Sequence, residues 1–423
     1  MSDTNTARTN TWVPPPRPDW VARIIDEGKC MDIKGVVPLD ENSLLATAKR
    51  NTGLSDFGND DWHEPFQRFI KSLDDDAQLH LMGRLMTRSD ILLLLEARLR
   101  IEDTYKKHPK IEDEQIKKPL LVMGQGRTGT SVLQNMLSAD PNNGPLMTWE
   151  SMFPCPPPVT STYATDPRIA RAHQLATQWN RVTPEVVAVH EFAGDLPIES
   201  IHLQSLSFRT PSWMNLLGQA SSYTAWVMQQ DVTIAYRYEK RALKLLQWRH
   251  PNQHWVLKTP IYILHMPQIL KVFPDACFIW THRDPVKAIS SVVNTMGTIN
   301  WIRSDSPFIA GAFDNHIGSE TAAIMMTQPI DWLESGQLPK HQLCNIQYLD
   351  FMRDPIKVAE KIYQQFDIPM TAEGRNAMQR YMQARPRDAR PSHQYDTGSA
   401  DQIAKERILF RRYSEYFNVP DEV

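Results

Sequence analysis

The residues best spaced for chemistry lie in 120–138, LLVMGQGRTGTSVLQNMLS, with glycines at 124, 126 and 129, a cation at Arg127 and hydroxyls at Thr128, Thr130 and Ser131. Glycines tolerate positive φ and let backbone approach a ligand closely. A helix that follows them directs its unpaired N–H groups and partial positive charge at the same point, which suits a phosphate. From Gly124 the spacing is Gly-x-x-x-x-Gly-x-Ser, that of a nucleotide phosphate loop, but Thr130 stands where such loops carry lysine. Phosphate is expected here without the cation an NTPase uses.

A second set lies in 254–296, HWVLKTPIYILHMPQILKVFPDACFIWTHRDPVKAISSVVNTM. Lys258 follows a short apolar run, and a lysine at the carboxyl end of a strand can neutralise charge developing on a leaving phosphate oxygen. Arg283 and Ser291, eight residues apart, can share one phosphate between a planar fork and a hydroxyl on the following helix. The Arg-Asp-Pro triplet alone is not diagnostic. It recurs at Arg353-Asp354-Pro355, where the residue eight further on is Lys361, and there only a helix start is expected.

Each group needs an element to hold it. The apolar runs before Gly124, at Trp255–Leu257 and at Ala276–Thr281 read as buried strands. Val132, Leu133, Met136 and Leu137 recur at one-turn spacing and give the loop helix a buried face. Leu264, Ile269 and Leu270 do the same between the later strands, so 254–281 is a βαβ-like unit. Asp284 followed by Pro285 is a helix N-cap and first-turn proline, which sets Arg283 at the sheet's carboxyl edge. Strands and helices alternate beyond residue 113, and the expected class is α/β, a P-loop-like three-layer fold with a mainly parallel central sheet. An all-helical N-terminal region precedes it: WVARIIDEG, SLLATAKRN behind Asn42/Ser43, WHEPFQRFIKSL, and a periodic stretch from Ala77 to Ile101. The expected organisation is a flexible, proline-rich arm over 1–18, a helical region over 19–112 and the catalytic domain over 113–423.

Composition excludes several partners. The 423 residues carry 46 basic and 49 acidic side chains for a net charge of −3, with no Lys/Arg run to follow nucleic acid or an anionic membrane. Four cysteines, Cys30, Cys155, Cys277 and Cys344, are far apart with no CxxC pair, which suits a reducing compartment and argues against zinc. The longest aliphatic run, Ile91–Leu95, is too short to span a bilayer, and the first twenty residues lack an apolar signal core. A cytoplasmic protein without a transmembrane segment is expected.

With those residues in place, the chain resembles the sulfotransferases that use 3′-phosphoadenosine-5′-phosphosulfate (PAPS). Within them it is similar to the bacterial-type branch related distantly to tyrosylprotein sulfotransferases. The likeness is carried by GQGRTGTS with LSADP, WESMFPCPPP, HEFAGDLPIES, the whole of WVLKTPIYILHMPQILKVFPDACFIWTHRDPVKAISSVV, SHQYDTGSADQIAKERILFRRYSEYFNV, and LLATAKRNTGLSDFGNDD in the helical region. It implies that Gly126, Arg127, Thr128, Gly129, Thr130 and Ser131 take the 5′-phosphosulfate and that Arg283 and Ser291 take the 3′-phosphate. It further implies that Lys258 assists the bridging oxygen, that Arg127 faces the sulfuryl group, and that no metal is required. Thr130 in the lysine position then favours sulfuryl over phosphoryl transfer.

The general base stays open between Glu150, which the resemblance puts near a catalytic glutamate of the tyrosylprotein relatives, and His190, which Glu191 or Glu199 can orient; Glu199 is a third candidate. Arg387, Arg390 and His393 fall where relatives close a loop over the nucleotide. The acceptor expected is a hydroxyl of a small lipophilic alcohol or phenol. The stretch 205–228 and Met296–Trp301, rich in aromatics and methionine, line its pocket or else form core faces. A homodimer is left open. The alternatives are a P-loop kinase or NTPase and a non-catalytic nucleotide-binding relative.

Overall fold

The computed structural model describes residues 12–189, 191–210, 214, 216–306, 318–385 and 398–423, without the side chains of Ala188, Val189, Ser290 and Ser291. Five strands form its sheet: β1 (Leu120–Met123), β2 (Asn143–Pro145), β3 (His254–Lys258), β4 (Cys277–His282) and β5 (Leu343–Gln347). They run parallel in the order β2-β3-β1-β4-β5. The chain leaves β3 on one side of β1 and enters β4 on the other. The carboxyl ends of β1 and β4 therefore flank the point where the winding reverses, the place where open α/β sheets take ligands.

Alternation along β1 defines the layers. Leu120 and Val122 join Leu133, Met136 and Ile362 on one face, while Leu121 and Met123 join Leu257, Phe278 and Trp280 on the other. The strands are apolar throughout because both faces are covered. The second face carries the N-terminal helices, and the apolar cluster there runs without a break from Val21 through Phe66 and Leu99 to Tyr413 and Val419. The helical region therefore has no separate core and is one layer of the same body.

Four longer helices build that layer: Asp19–Gly28, Glu41–Thr52, His63–Asp75 and Leu81–Lys107. The second starts two residues earlier than Asn42/Ser43 suggests, because the Asp40 carboxylate accepts the Ser43 N–H at 2.9 Å and takes the capping role. Buried arginines stitch the layer to the rest. Arg98, with no exposed surface, donates to the carbonyls of Phe57 (2.6 Å) and Leu206 (3.0 Å). Arg303 reaches Asp90 at 2.7 Å and the Leu216 carbonyl at 3.1 Å.

The described part of the arm, residues 12–18, is docked. Trp12 packs edge-on to Trp301, Arg17 lies over the Trp301 ring at 3.4 Å, and Trp301 Nε1 donates to the Pro15 carbonyl at 3.0 Å. This contact falls on Trp301, at the end of one of the two stretches considered for an acceptor pocket. In the other, Phe208 meets Phe66 and Trp62, and Tyr223 meets Phe69, so those aromatics belong to the core beneath the helical layer. Among the described residues no helix is long and apolar enough to cross a membrane.

Candidate active site

The glycine loop leaves β1 at Gly124, where an added Cβ would lie 2.3 Å from Thr281 Oγ1 of β4; the loop can pass only without a side chain. Thr128 ties the turn down, its hydroxyl 2.7 Å from Thr281 Oγ1 and 2.7 Å from the Gln125 carbonyl. Arg127 at φ 69 and Gly129 at φ 85 both take the left-handed conformation, costly for the arginine and natural for the glycine. Arg127 is exposed, Gly126 half-buried, Thr130 buried and Ser131 exposed.

The helix that follows, Thr130–Leu137, begins at Gly129 without a side-chain cap. A missing cap costs about 1 kcal/mol. Leu133, Met136 and Leu137 are fully buried, and each such side chain contributes roughly 1.5–3 kcal/mol, so packing outweighs the uncapped end. The first N–H groups of the helix are thereby held at the sheet's edge, an arrangement suited to an anion.

Lys258 closes β3 as its last residue, paired in register beside Val122. Its ammonium is 2.6 Å from Glu199 Oε1. The carboxylate arrives by a short antiparallel passage: Thr148 N–H donates to the Leu196 carbonyl (2.9 Å), Ile198 N–H to Leu146 (2.9 Å), and Ser200 N–H to Lys258 (3.0 Å). Behind it, Ser200 Oγ meets the Tyr262 hydroxyl at 2.5 Å, and Tyr262 donates to Glu239 Oε1 at 2.6 Å. Burial pushes the Glu239 carboxyl up to about 7.

Glu150 has a different setting. It lies at the third position of the helix Thr148–Met152, and its Oε2 accepts the Met147 N–H at 2.9 Å, capping its own helix. Oε1 accepts the Tyr163 hydroxyl at 3.0 Å. Only 1% of Glu150 is exposed, against 22% of the Glu199 side chain, and burial pushes its carboxyl up to about 7. His190 lies outside the described residues, as do Arg387, Arg390 and His393.

At the end of β4, Asp284 accepts the Val286 N–H (3.0 Å) and starts the helix Pro285–Trp301, the capping expected from the Asp-Pro step. Arg283 is held on three sides. Nη1 donates to the Arg127 carbonyl at 2.8 Å, the guanidinium stands over the Tyr348 ring at 4.1 Å, and Nε and Nη2 grip Glu422 Oε1 and Oε2 at 2.8 and 2.9 Å. Lys287 Nζ reaches the same Glu422 carboxylate at 3.2 Å. Beneath, buried His282 sits between the Tyr413 hydroxyl (2.8 Å) and Asn345 Oδ1 (2.9 Å), fixing the strand end. Arg353 differs: it is exposed and pairs with Asp350 at 3.3 Å, while Asp354 caps the next helix through the Lys357 N–H at 3.0 Å. Ser291 lies on the Pro285–Trp301 helix, and its side chain is outside the described set.

Sequence reasoning named Glu199 but not its pairing with Lys258, and it missed Glu422, Tyr348 and Thr281. A single clue was available for the first, the acidic residue of PIES just after Pro197. Nothing local marks the other three.

A glycine loop after the central strand, a lysine and an arginine at the ends of its two neighbours, and a carboxylate beside the lysine define the class: an α/β protein with its charged groups gathered along a parallel sheet's carboxyl edge. The chain belongs to the sulfotransferase family, whose family model matches residues 119–372. Among solved structures it is similar to sulfotransferase STF9 from Mycobacterium avium, at 27% identity and a TM-score of 0.77 over 90% of this chain and 97% of that one. It is likewise similar to sulfotransferase STF1 from Mycobacterium tuberculosis H37Rv, at 25% identity and 0.72 over 88% and 98%. No curated protein sequence matches the chain.

Proposed function

We propose that this chain transfers the sulfuryl group of PAPS to a hydroxyl of a small lipophilic alcohol or phenol. One observation carries the donor assignment: the glycine loop and Arg283 stand at the ends of neighbouring strands, tied by the hydrogen bond from Arg283 to the Arg127 carbonyl (2.8 Å), which supports reading them as two anion subsites. A nucleotide with phosphate groups at both its 5′ and 3′ ends matches that spacing of functions. Gly126, Gly129, Thr130 and Ser131 with Arg127 receive the phosphosulfate, and Arg283 with Ser291 receives the 3′-phosphate. The Arg283 fork already grips a carboxylate side-on, which supports its suitability for a planar pair of anionic oxygens.

Glu199 accepts the acceptor's proton and Lys258 meets the leaving oxygen. The acceptor oxygen forms its bond to sulfur as the bond from sulfur to the bridging oxygen breaks, and adenosine 3′,5′-bisphosphate departs. The Lys258–Glu199 pair supports this division, since a lysine drawn to the bridging oxygen leaves the carboxylate beside it free to take a proton. Glu150, both of whose oxygens already accept hydrogen bonds, supports the wall of the site instead. Net charge of −3 and the absence of a polybasic run favour a small acceptor over a polyanionic chain.

The test combines donor binding with an acceptor screen. Adenosine 3′,5′-bisphosphate should bind with EDTA present, ATP with Mg²⁺ should not compete at equal concentration, and labelled PAPS should give a sulfated product with at least one hydroxyl compound in a panel. Metal-dependent ATP turnover, with no affinity for the bisphosphate, overturns the proposal.

A further inference from the structure

The Arg283 fork and Lys287 converge on one internal anion, the carboxylate of Glu422. Glu422 comes from the short segment after the helix Ala400–Phe417, which ends at Asn418 in a left-handed turn. Val419 is buried in the core, and the segment is buttoned to the start of the Pro285–Trp301 helix. Glu422 N–H donates to Asp284 Oδ2 at 2.7 Å, and Arg407 spans Asp284 (2.7 Å) and Asp421 (2.8 Å). The Glu422 side chain is 13% exposed and Arg283 11%. This is a built contact, with the anion delivered to the arginine by a backbone hydrogen bond to the adjacent N-cap.

Of the two cations Glu422 occupies, Arg283 is the one that the proposed function gives to the donor's 3′-phosphate, and the inference rests on that assignment. A phosphate dianion cannot join the carboxylate on one guanidinium without placing like charges within a few ångströms in a half-buried site. One must displace the other. The backbone button through Asp284 does not involve the carboxylate, so the side chain can swing away while the segment stays docked.

We propose that Glu422 is an internal competitor for the 3′-phosphate subsite. Its carboxylate holds Arg283 and Lys287 in the nucleotide-free protein, yields them to the donor, and reclaims them as the bisphosphate product leaves. Arg283 is thus never stripped of an anionic partner, and the product's departure is an exchange rather than the bare rupture of a charge pair.

The test measures binding of adenosine 3′,5′-bisphosphate and of adenosine 5′-monophosphate to the full chain by calorimetry, with stopped-flow dissociation. A carboxylate occupying the subsite about nine-tenths of the time raises the apparent Kd about tenfold. Glu422→Gln and Glu422→Ala should each tighten the bisphosphate about tenfold and leave the monophosphate unchanged. Unchanged or weaker bisphosphate binding in both variants, with Arg283→Ala still losing it, overturns the competitor role and leaves the donor assignment standing. Full bisphosphate affinity in Arg283→Ala removes the 3′-phosphate assignment, and the competitor role with it.

Discussion

Replacing Glu150 with glutamine separates a buried structural carboxyl from a catalytic base, and its size follows from the burial. The folded carboxyl holds its proton up to about pH 7 where the ordinary value is 4.5, because desolvation outweighs the hydrogen bonds from Met147 N–H and the Tyr163 hydroxyl. A raised carboxyl contributes its stability fully below the unfolded value and loses it as pH rises through the folded one. Between pH 4.5 and about 7 the unfolded chain has released this proton and the native protein has not. At ~1.4 kcal/mol per unit, the native state forfeits roughly 3 kcal/mol across that window. Glutamine keeps the shape, its oxygen still accepts the Met147 N–H, and the Tyr163 hydroxyl can turn to accept from its amide.

Urea unfolding at pH 5 and pH 8 should therefore show Glu150→Gln gaining about 2.5 kcal/mol relative to the parent across the interval. Its kcat at saturating donor should stay within about threefold, whereas Glu199→Gln should lose about 100-fold, the lower end of what general-base removal costs. Parallel stability curves refute the desolvation argument. A 100-fold loss of kcat in Glu150→Gln with its fold intact, alongside an active Glu199→Gln, transfers the proton to Glu150 and refutes the assignment made from the Lys258 pair.

Three further outcomes follow from the geometry. Lys258→Ala should lower kcat about 100-fold and leave the Kd for adenosine 3′,5′-bisphosphate within about threefold, since the lysine acts on charge that develops late; a large loss of binding instead would make it a docking residue. Arg283→Ala should weaken the same ligand by about 2 kcal/mol, as for one charge-assisted fork, measured by calorimetry. Gly83→Ala should cost at least about 3 kcal/mol in urea, since the added Cβ meets the Arg303 carbonyl oxygen at 2.0 Å and backbone must move; an unchanged midpoint would refute that contact.

What the sequence makes legible is local. Strand β1 shows itself as a short apolar run, the loop by its glycines, and the helix at Pro285 by an Asp-Pro cap, because each signal lies within a few residues of its effect. Arg353 reads correctly as an ordinary helix start for the same reason. Burial and long-range pairing are not local, and there the sequence falls short. Arg98, on a periodic helix, and Arg303, in the turn after one, look like surface charges until the carbonyls of Phe57, Leu206 and Leu216 accept from them. The partner of Arg283 is 139 residues away. Glu150 and Glu199 are alike in sequence, and only the folded chain sets one behind Tyr163 and the other against a lysine. The aromatics of 205–228 carry the composition of a pocket and of a core equally, and packing against Phe66 and Phe69 places Phe208 and Tyr223 in the core.

The unbroken apolar cluster from Val21 to Val419 also bears on cooperativity. Helices formed early in the chain share one continuous apolar interior with the sheet, so loss of either part strips apolar cover from the other. Calorimetry should record one transition, and the amides of Leu94 and Leu99 should exchange only when those of β1 do. Anything that grips the sheet's edge then protects helices that lie on its far side.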